Sequence, residues 1–171
     1  MTSPVKADSV ALMTAGADDG AHTASRLHAA LHERSQTVGC AESLTGGELA
    51  ALLSSTPGAS ATFVGAVVSY ATSVKRTLLG VTAERVVSAE CAAQMATGLR
   101  DLLGVDWALS TTGVAGPDLQ EDQPPGTVHV GLAGPGGVRT VLLALGGDRT
   151  AIRSATCLAA TALLLEEVSR G

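Results

Sequence analysis

The stretch Thr37-Val38-Gly39-Cys40-Ala41-Glu42-Ser43-Leu44-Thr45-Gly46-Gly47 decides the fold. An apolar strand pattern over 37–41 runs into a serine, a threonine and two glycines. A helical apolar pattern, Leu49 to Leu53, follows directly. A strand that passes through a tight turn into a helix is the opening of an α/β unit. At such a turn a serine sits where a helix presents unpaired N–H groups and the positive end of its dipole. Glycines there let another backbone or a ligand approach closely. The combination suits a nucleophile beside an oxyanion site, or a phosphate cradle. It equally suits a capping serine in a tight turn.

Outward from this turn, strand and helix patterns alternate. Helical spacing is expected over 23–34, 45–54, 73–79, 88–103 and 150–168, and strands over 38–42, 63–70, 107–111, 127–132 and 138–145. Ser88 is placed to cap its helix, and Gly80 and Gly104 to end theirs. The run Phe63-Val64-Gly65-Ala66-Val67-Val68-Ser69-Tyr70 is nearly all apolar and predicts a strand buried on both faces. Gly134-Pro135-Gly136-Gly137 predicts a hairpin turn. The expected architecture is a three-layer α/β/α sandwich with a mixed, mainly parallel sheet and one antiparallel hairpin. Residues 1–22 are weakly patterned and are expected to be a flexible tail, with 23–171 forming a single domain. The last helix carries apolar residues beyond one stripe, which predicts burial on more than one side and a subunit contact.

Composition narrows the function. The chain has 171 residues, enough to bury roughly 70% of its unfolded surface without staples. Its three cysteines, Cys40, Cys91 and Cys157, form no CxxC pair, so neither a disulfide framework nor a zinc site is expected. Free thiols, with no transmembrane-length run and no signal pattern, fit a cytoplasmic protein with no membrane partner. A formal charge of -5 with 2% aromatic residues speaks against direct nucleic-acid binding, leaving a small-molecule site.

Four clusters could form that site. The first is Glu42, Ser43, Thr45, Gly46 and Gly47. The second is the loop Thr111-Thr112-Gly113-Val114-Ala115-Gly116-Pro117-Asp118, which follows a strand and can present N–H groups to an anion, or simply turn the chain. The third pairs the chain's one tyrosine, Tyr70, with Lys75 at the expected carboxyl edge of the sheet. Lys75 would serve as a base only if burial lowers its pKa, and a solvated helix lysine is the plain alternative. The fourth is Arg149 with Arg153, two cations sharing one face at a helix start, where an anion would compensate them. Surface acids such as Asp148 could do so as well. His28 and His32 share a helix face but lack a third ligand, so no metal is expected.

In order along the chain, Ala41-Glu42-Ser43-Leu44-Thr45-Gly46-Gly47, Gly58-Ala59-Ser60, Gly65-Ala66-Val67-Val68-Ser69-Tyr70 with Lys75, Val87-Ser88-Ala89-Glu90, Thr111 to Asp118, Pro125-Gly126-Thr127-Val128 and Gly147-Asp148-Arg149 resemble the C-terminal domain of the competence/damage-inducible protein CinA. The resemblance implies a nicotinamide-nucleotide amidohydrolase. Such an enzyme converts nicotinamide mononucleotide to nicotinate mononucleotide and ammonia, with no cofactor, and is usually oligomeric. Ser43 matches the nucleophile position, and Ser60, Tyr70, Lys75, Thr112 and Arg149 match other site positions. Three stretches depart from the family pattern: a short loop over 81–86, Asp118-Leu119-Gln120 and Gln123-Pro124-Pro125-Gly126-Thr127. Longer members carry an N-terminal molybdopterin-cofactor-binding-like domain, which is not expected here, nor is its pyrophosphatase activity.

The resulting expectation is a serine amidohydrolase. Ser43 attacks the carboxamide, Lys75 is the base, and Tyr70 orients Lys75 or stacks on the pyridinium ring. N–H groups around 45–47 hold the oxyanion. Ser60, Thr112, the 113–116 loop with Gly113 and Gly116, Arg149 and Arg153 hold ribose and phosphate. Two non-enzymatic readings remain. One is a nucleotide-binding module that has lost turnover. The other is a protein-interaction domain linked to competence or DNA repair.

Overall fold

The structure is a computed structural model that describes residues 17–170. Its elements run α1 (Ala17–Glu33), β1 (Val38–Glu42), α2 (Glu48–Ser54), a 3-10 turn (Ala59–Ala61), β2 (Phe63–Val68), α3 (Thr72–Leu79), α4 (Ala89–Leu103), β3 (Trp107–Gly113), β4 (Thr127–Gly134), β5 (Gly137–Ala144) and α5 (Arg149–Arg170). The strands form one sheet in the order β2-β1-β3-β4-β5. β1 pairs in parallel with β2 and β3, whereas β4 runs antiparallel to β3 and to β5. Four strands therefore point one way, and only β4 is reversed.

Apolar positions divide between the two faces as the strand pleat requires. On one face Leu27 and Leu31 of α1, Leu49 and Leu53 of α2, and Ile152 and Leu164 of α5 cover Val38, Leu109, Val130 and Leu143. On the other, Leu79 of α3 with Met95 and Leu99 of α4 covers Ala41, Ala108 and Ala133. Small residues let α4 lie close to the sheet. A Cβ on Gly131 would stand 2.3 Å from the Ala92 carbonyl oxygen, so only glycine fits beneath α4 there. Ser110 Oγ donates to that same carbonyl at 2.6 Å. Ser88 caps α4 by accepting the Cys91 N–H, as its position predicts.

Two expectations change. β2 is a sheet edge rather than an interior strand. Its inner positions are half-buried, but Val64 and Val68 are 53% and 46% exposed, because among the described residues no strand lies beyond them and α2 is one short helix. The first helix starts at Ala17, so 17–22 are helical; the rest of the expected tail lies outside the described residues. The two-sided burial expected of α5 is provided by α1 and by the sheet.

Candidate active site

The carboxyl ends of β1, β2 and β3 are in register, with Glu42 opposite both Val68 and Thr111. The turns that leave these three strands therefore meet at one edge, where open α/β sheets bind ligands. A cleft of about 310 Å³ lies there, and Ser43, Tyr70, Lys75, Gly113, Gly116 and Arg149 all line it. That volume is at the lower end of small-molecule sites, roughly 300–1,000 Å³.

The turn after β1 is fixed by backbone hydrogen bonds. Gly46 and Gly47 adopt φ of 57° and 104°, values that favour glycine. This delays the helix, expected from residue 45, until Glu48. Gly46 N–H donates to Ser43 C=O, and Glu48 N–H to Thr45 C=O. The Gly47, Leu49 and Ala50 N–H groups all donate to the Glu42 carboxylate, at 3.0, 3.0 and 2.9 Å. Glu42 is 0% exposed, so it faces the helix start and not the cleft. Its expected contact with substrate is replaced by this capping role. The amides of 46 and 47, expected to hold an oxyanion, are also occupied. Among the described residues the Leu44 and Thr45 N–H groups have no hydrogen-bond acceptor, and Leu44 lines the cleft beside Ser43.

Lys75 lies in the first turn of α3 and is 2% exposed. Its Nζ is 2.9 Å from Ser43 Oγ, 2.6 Å from Ser69 C=O and 3.2 Å from Tyr70 C=O. Burial holds its pKa below the ordinary lysine value, against the weaker opposing influence of Cys91 and Glu121. The Cys91 thiol is itself pushed up to about 11, chiefly by burial, so it stays protonated at neutral pH. Ser69 is 0% exposed, and its N–H donates to Glu42 C=O at 2.8 Å.

Arg149 spans the mouth of the cleft, donating to Tyr70 Oη at 2.8 Å and to Gly116 C=O at 2.9 Å. Tyr70 thus meets Arg149 through its hydroxyl and Lys75 through its carbonyl. The lining also includes Val86, from the short 81–86 loop, and Asp118, Leu119 and Gln120.

Other expected contacts lie elsewhere. Thr112 Oγ1 donates to Val86 C=O at 2.6 Å and so fixes the wall from behind. Thr45 Oγ1 is buried against Thr111 Oγ1 at 2.8 Å. Arg153 finds its anion in Glu48 at 3.2 Å and donates to Thr45 C=O, so its compensation is internal. Ser60 sits in the 3-10 turn before β2, at the amino end of the parallel strands and the opposite edge of the sheet. Glu121 was not singled out by sequence. Its carboxylate accepts the Val86 and Val87 N–H groups at 2.9 and 2.8 Å and clasps the short loop to the 118–122 loop. An acid in a loop gives no periodic signal, and its partners are backbone amides far along the chain. Ser69 escaped for the same reason, since its contribution is a main-chain carbonyl.

Among the described residues no group of three or more His, Cys, Asp or Glu side chains gathers as a metal site, and no helix is long and apolar enough to cross a membrane. The three cysteines are buried free thiols.

The CinA C-terminal domain family matches residues 20–168. The chain belongs to this family. A CinA-like protein of Frankia casuarinae is 52% identical over 139 residues, covering 78% of this chain and 32% of that protein. The chain thus spans about a third of the length of such CinA relatives. The solved structure of a CinA superfamily protein from Klebsiella pneumoniae superposes with a TM-score of 0.86 at 33% identity, covering 89% of this chain and 99% of that one. The competence/damage-inducible protein of Agrobacterium tumefaciens gives 0.82 at 33% identity, covering 86% and 94%. The three-layer architecture with a mixed sheet is that of the CinA superfamily.

Proposed function

We propose that the protein is an amidohydrolase that cleaves the carboxamide of nicotinamide mononucleotide with Ser43 as nucleophile. The observation that carries this reading is the 2.9 Å approach of Lys75 Nζ to Ser43 Oγ inside a cleft, with Lys75 almost wholly buried. A neutral amine has two N–H donors and one lone pair. The Ser69 and Tyr70 carbonyls take the two donors, and the lone pair remains to accept the Ser43 hydroxyl proton.

Ser43 Oγ attacks the carboxamide carbon while its proton passes to Lys75 Nζ. The Leu44 and Thr45 N–H groups hold the oxyanion, each well-placed donor supplying ~3–4 kcal/mol. The Lys75 ammonium, now held by two carbonyls, returns its proton to the departing nitrogen, and ammonia leaves an ester on Ser43. Water, deprotonated by Lys75, then attacks the ester; Lys75 returns that proton to the departing Ser43 Oγ, and the product leaves as its carboxylate, its own proton going to solvent. Arg149 binds the phosphate after exchanging its Tyr70 and Gly116 contacts for phosphate oxygens. The cleft volume favours a mononucleotide over a dinucleotide.

The test is ammonia release from nicotinamide mononucleotide by the purified protein and by Ser43→Ala. The wild type is expected to release ammonia, and Ser43→Ala to lose at least about 10³-fold in rate. Unchanged turnover in Ser43→Ala would remove Ser43 from the nucleophile role. Mononucleotide binding without any ammonia release would favour the binding-module reading.

A further inference from the structure

We propose that Glu42 is a positioning residue that holds Ser43 and Lys75 in register, without touching substrate. This rests on the reading of Ser43 as nucleophile and Lys75 as its base. Glu42 reaches both partners by separate routes. Through its carboxylate it anchors the turn that follows Ser43: Oε2 accepts the Gly47 and Leu49 N–H groups, and Oε1 accepts the Ala50 N–H. Through its main-chain carbonyl it accepts the Ser69 N–H at 2.8 Å and the Ser69 hydroxyl at 3.3 Å. The Ser69 carbonyl in turn accepts from Lys75 Nζ at 2.6 Å. One residue thus sets the backbone on the nucleophile side and, one strand away, on the base side.

The amides explain why the carboxylate is needed. Gly47 is the N-cap of α2 and has no side chain to cap with. Three N–H groups at this helix start would otherwise be unpaired around a side chain that is 0% exposed. A protein carboxylate already occupies the anion site at this helix start. The substrate oxyanion is left to the amides nearer Ser43, and a structure that holds them still is worth rate, because small misplacements of reacting groups lower it steeply.

Glutamine at this position keeps the length but replaces one acceptor oxygen by a donor, so one amide of the three faces another N–H. Aspartate keeps the charge but is one carbon too short to reach. The expected signature of Glu42→Gln is a folded protein whose kcat for ammonia release falls about tenfold or more while KM stays within about twofold. A fluorophosphonate probe reports on Ser43 independently of the natural substrate. The serine oxygen displaces fluoride at phosphorus, an O–P bond replacing the P–F bond, and the serine proton goes to Lys75. Labelling of Glu42→Gln is expected to slow by the same factor as kcat.

Gly47→Ala provides a second route. It strains the turn at a φ of 104° and leaves the carboxylate in place, and the added methyl meets Val68 Cγ2 at an ordinary contact distance of 3.9 Å. The same pattern of slow labelling and preserved KM is expected. Folded Glu42→Gln or Gly47→Ala protein that labels at the wild-type rate overturns the proposal. So does a raised KM with unchanged kcat in Glu42→Gln, which would put Glu42 against substrate. Failure of the wild type to label at Ser43 overturns the nucleophile reading itself, and the positioning role with it.

Discussion

In the proposed mechanism Lys75 is the residue on which the chemistry turns, and its surroundings fix the sign of its pH dependence. Burial lowers its pKa from the ordinary lysine value. The acid limb of kcat/KM, which reports the free enzyme, is therefore expected below the usual lysine range of about 10.4. Under that limb Lys75 is an ammonium with no lone pair for Ser43, and the rate falls with each pH unit. Lys75→Arg keeps the charge and much of the bulk but cannot become neutral, so it is expected to lose about 10²–10⁴ in kcat across the whole accessible pH range. An active Lys75→Arg enzyme would remove Lys75 from the base role. Stability follows the same shift. The folded-state pKa is the lower one, so between it and the ordinary value the unfolded chain binds the extra proton. Stability therefore rises with pH across that window, and the increment is absent at lower pH. Lys75→Met is expected to abolish that rise, measured as the urea midpoint against pH.

At the scale of elements, the cleft is walled by loops that do not hold themselves. Residues 81–86 are short, and Val86 reaches the cleft because it is held at both ends. Thr112 fixes its carbonyl, and Glu121 fixes its N–H together with that of Val87. Gln94 fixes the start of the loop by accepting the Thr82 and Ala83 N–H groups. Glu121 also favours the charged form of Lys75 through its field. Glu121→Gln therefore has two separable effects. Loss of charge-assisted hydrogen bonds at a partly exposed clasp is expected to cost about 1–2 kcal/mol and to raise KM severalfold as the wall loosens. Loss of the negative charge lowers the Lys75 pKa further, so the acid limb of kcat/KM is expected to move to lower pH. A limb that stays in place, or moves to higher pH, would show that Glu121 acts on the wall alone.

At the scale of the molecule, sequence and structure agree where a signal is local or periodic. The strand-turn-helix run from Thr37, the capped helix after Ser88 and the hairpin at 134–137 are all legible, because each needs only its own neighbours. Ser43, Tyr70, Lys75, Gly113, Gly116 and Arg149 reach one cleft because residues at strand ends and the following turns share the carboxyl edge. The edge position of β2 was not legible, since an apolar run reads alike at an edge or in the interior until the strand order is known. Nor was the difference between residues that touch the cleft and residues that hold its walls. Glu42, Thr45 and Thr112 carry groups fit for a ligand, but backbone partners or another hydroxyl, set by the tertiary fold, take them first. This division of labour separates stability from rate. Leu164 is 0% exposed among α1, α5 and the sheet, whereas the Ser43–Lys75 contact is held by β1, the segment after β2 and α3. Leu164→Ala is expected to cost about 2–5 kcal/mol. In a chain of this size that lowers the melting temperature by roughly 10 °C. Well below the transition, kcat and KM should match the wild type. Ser43→Ala should show the converse, melting within a few degrees of wild type with no ammonia release. If Leu164→Ala lost rate in proportion to stability at temperatures where it is fully folded, the cleft would depend on the distant core. The contacts around Lys75 would then not be sufficient to hold the pair.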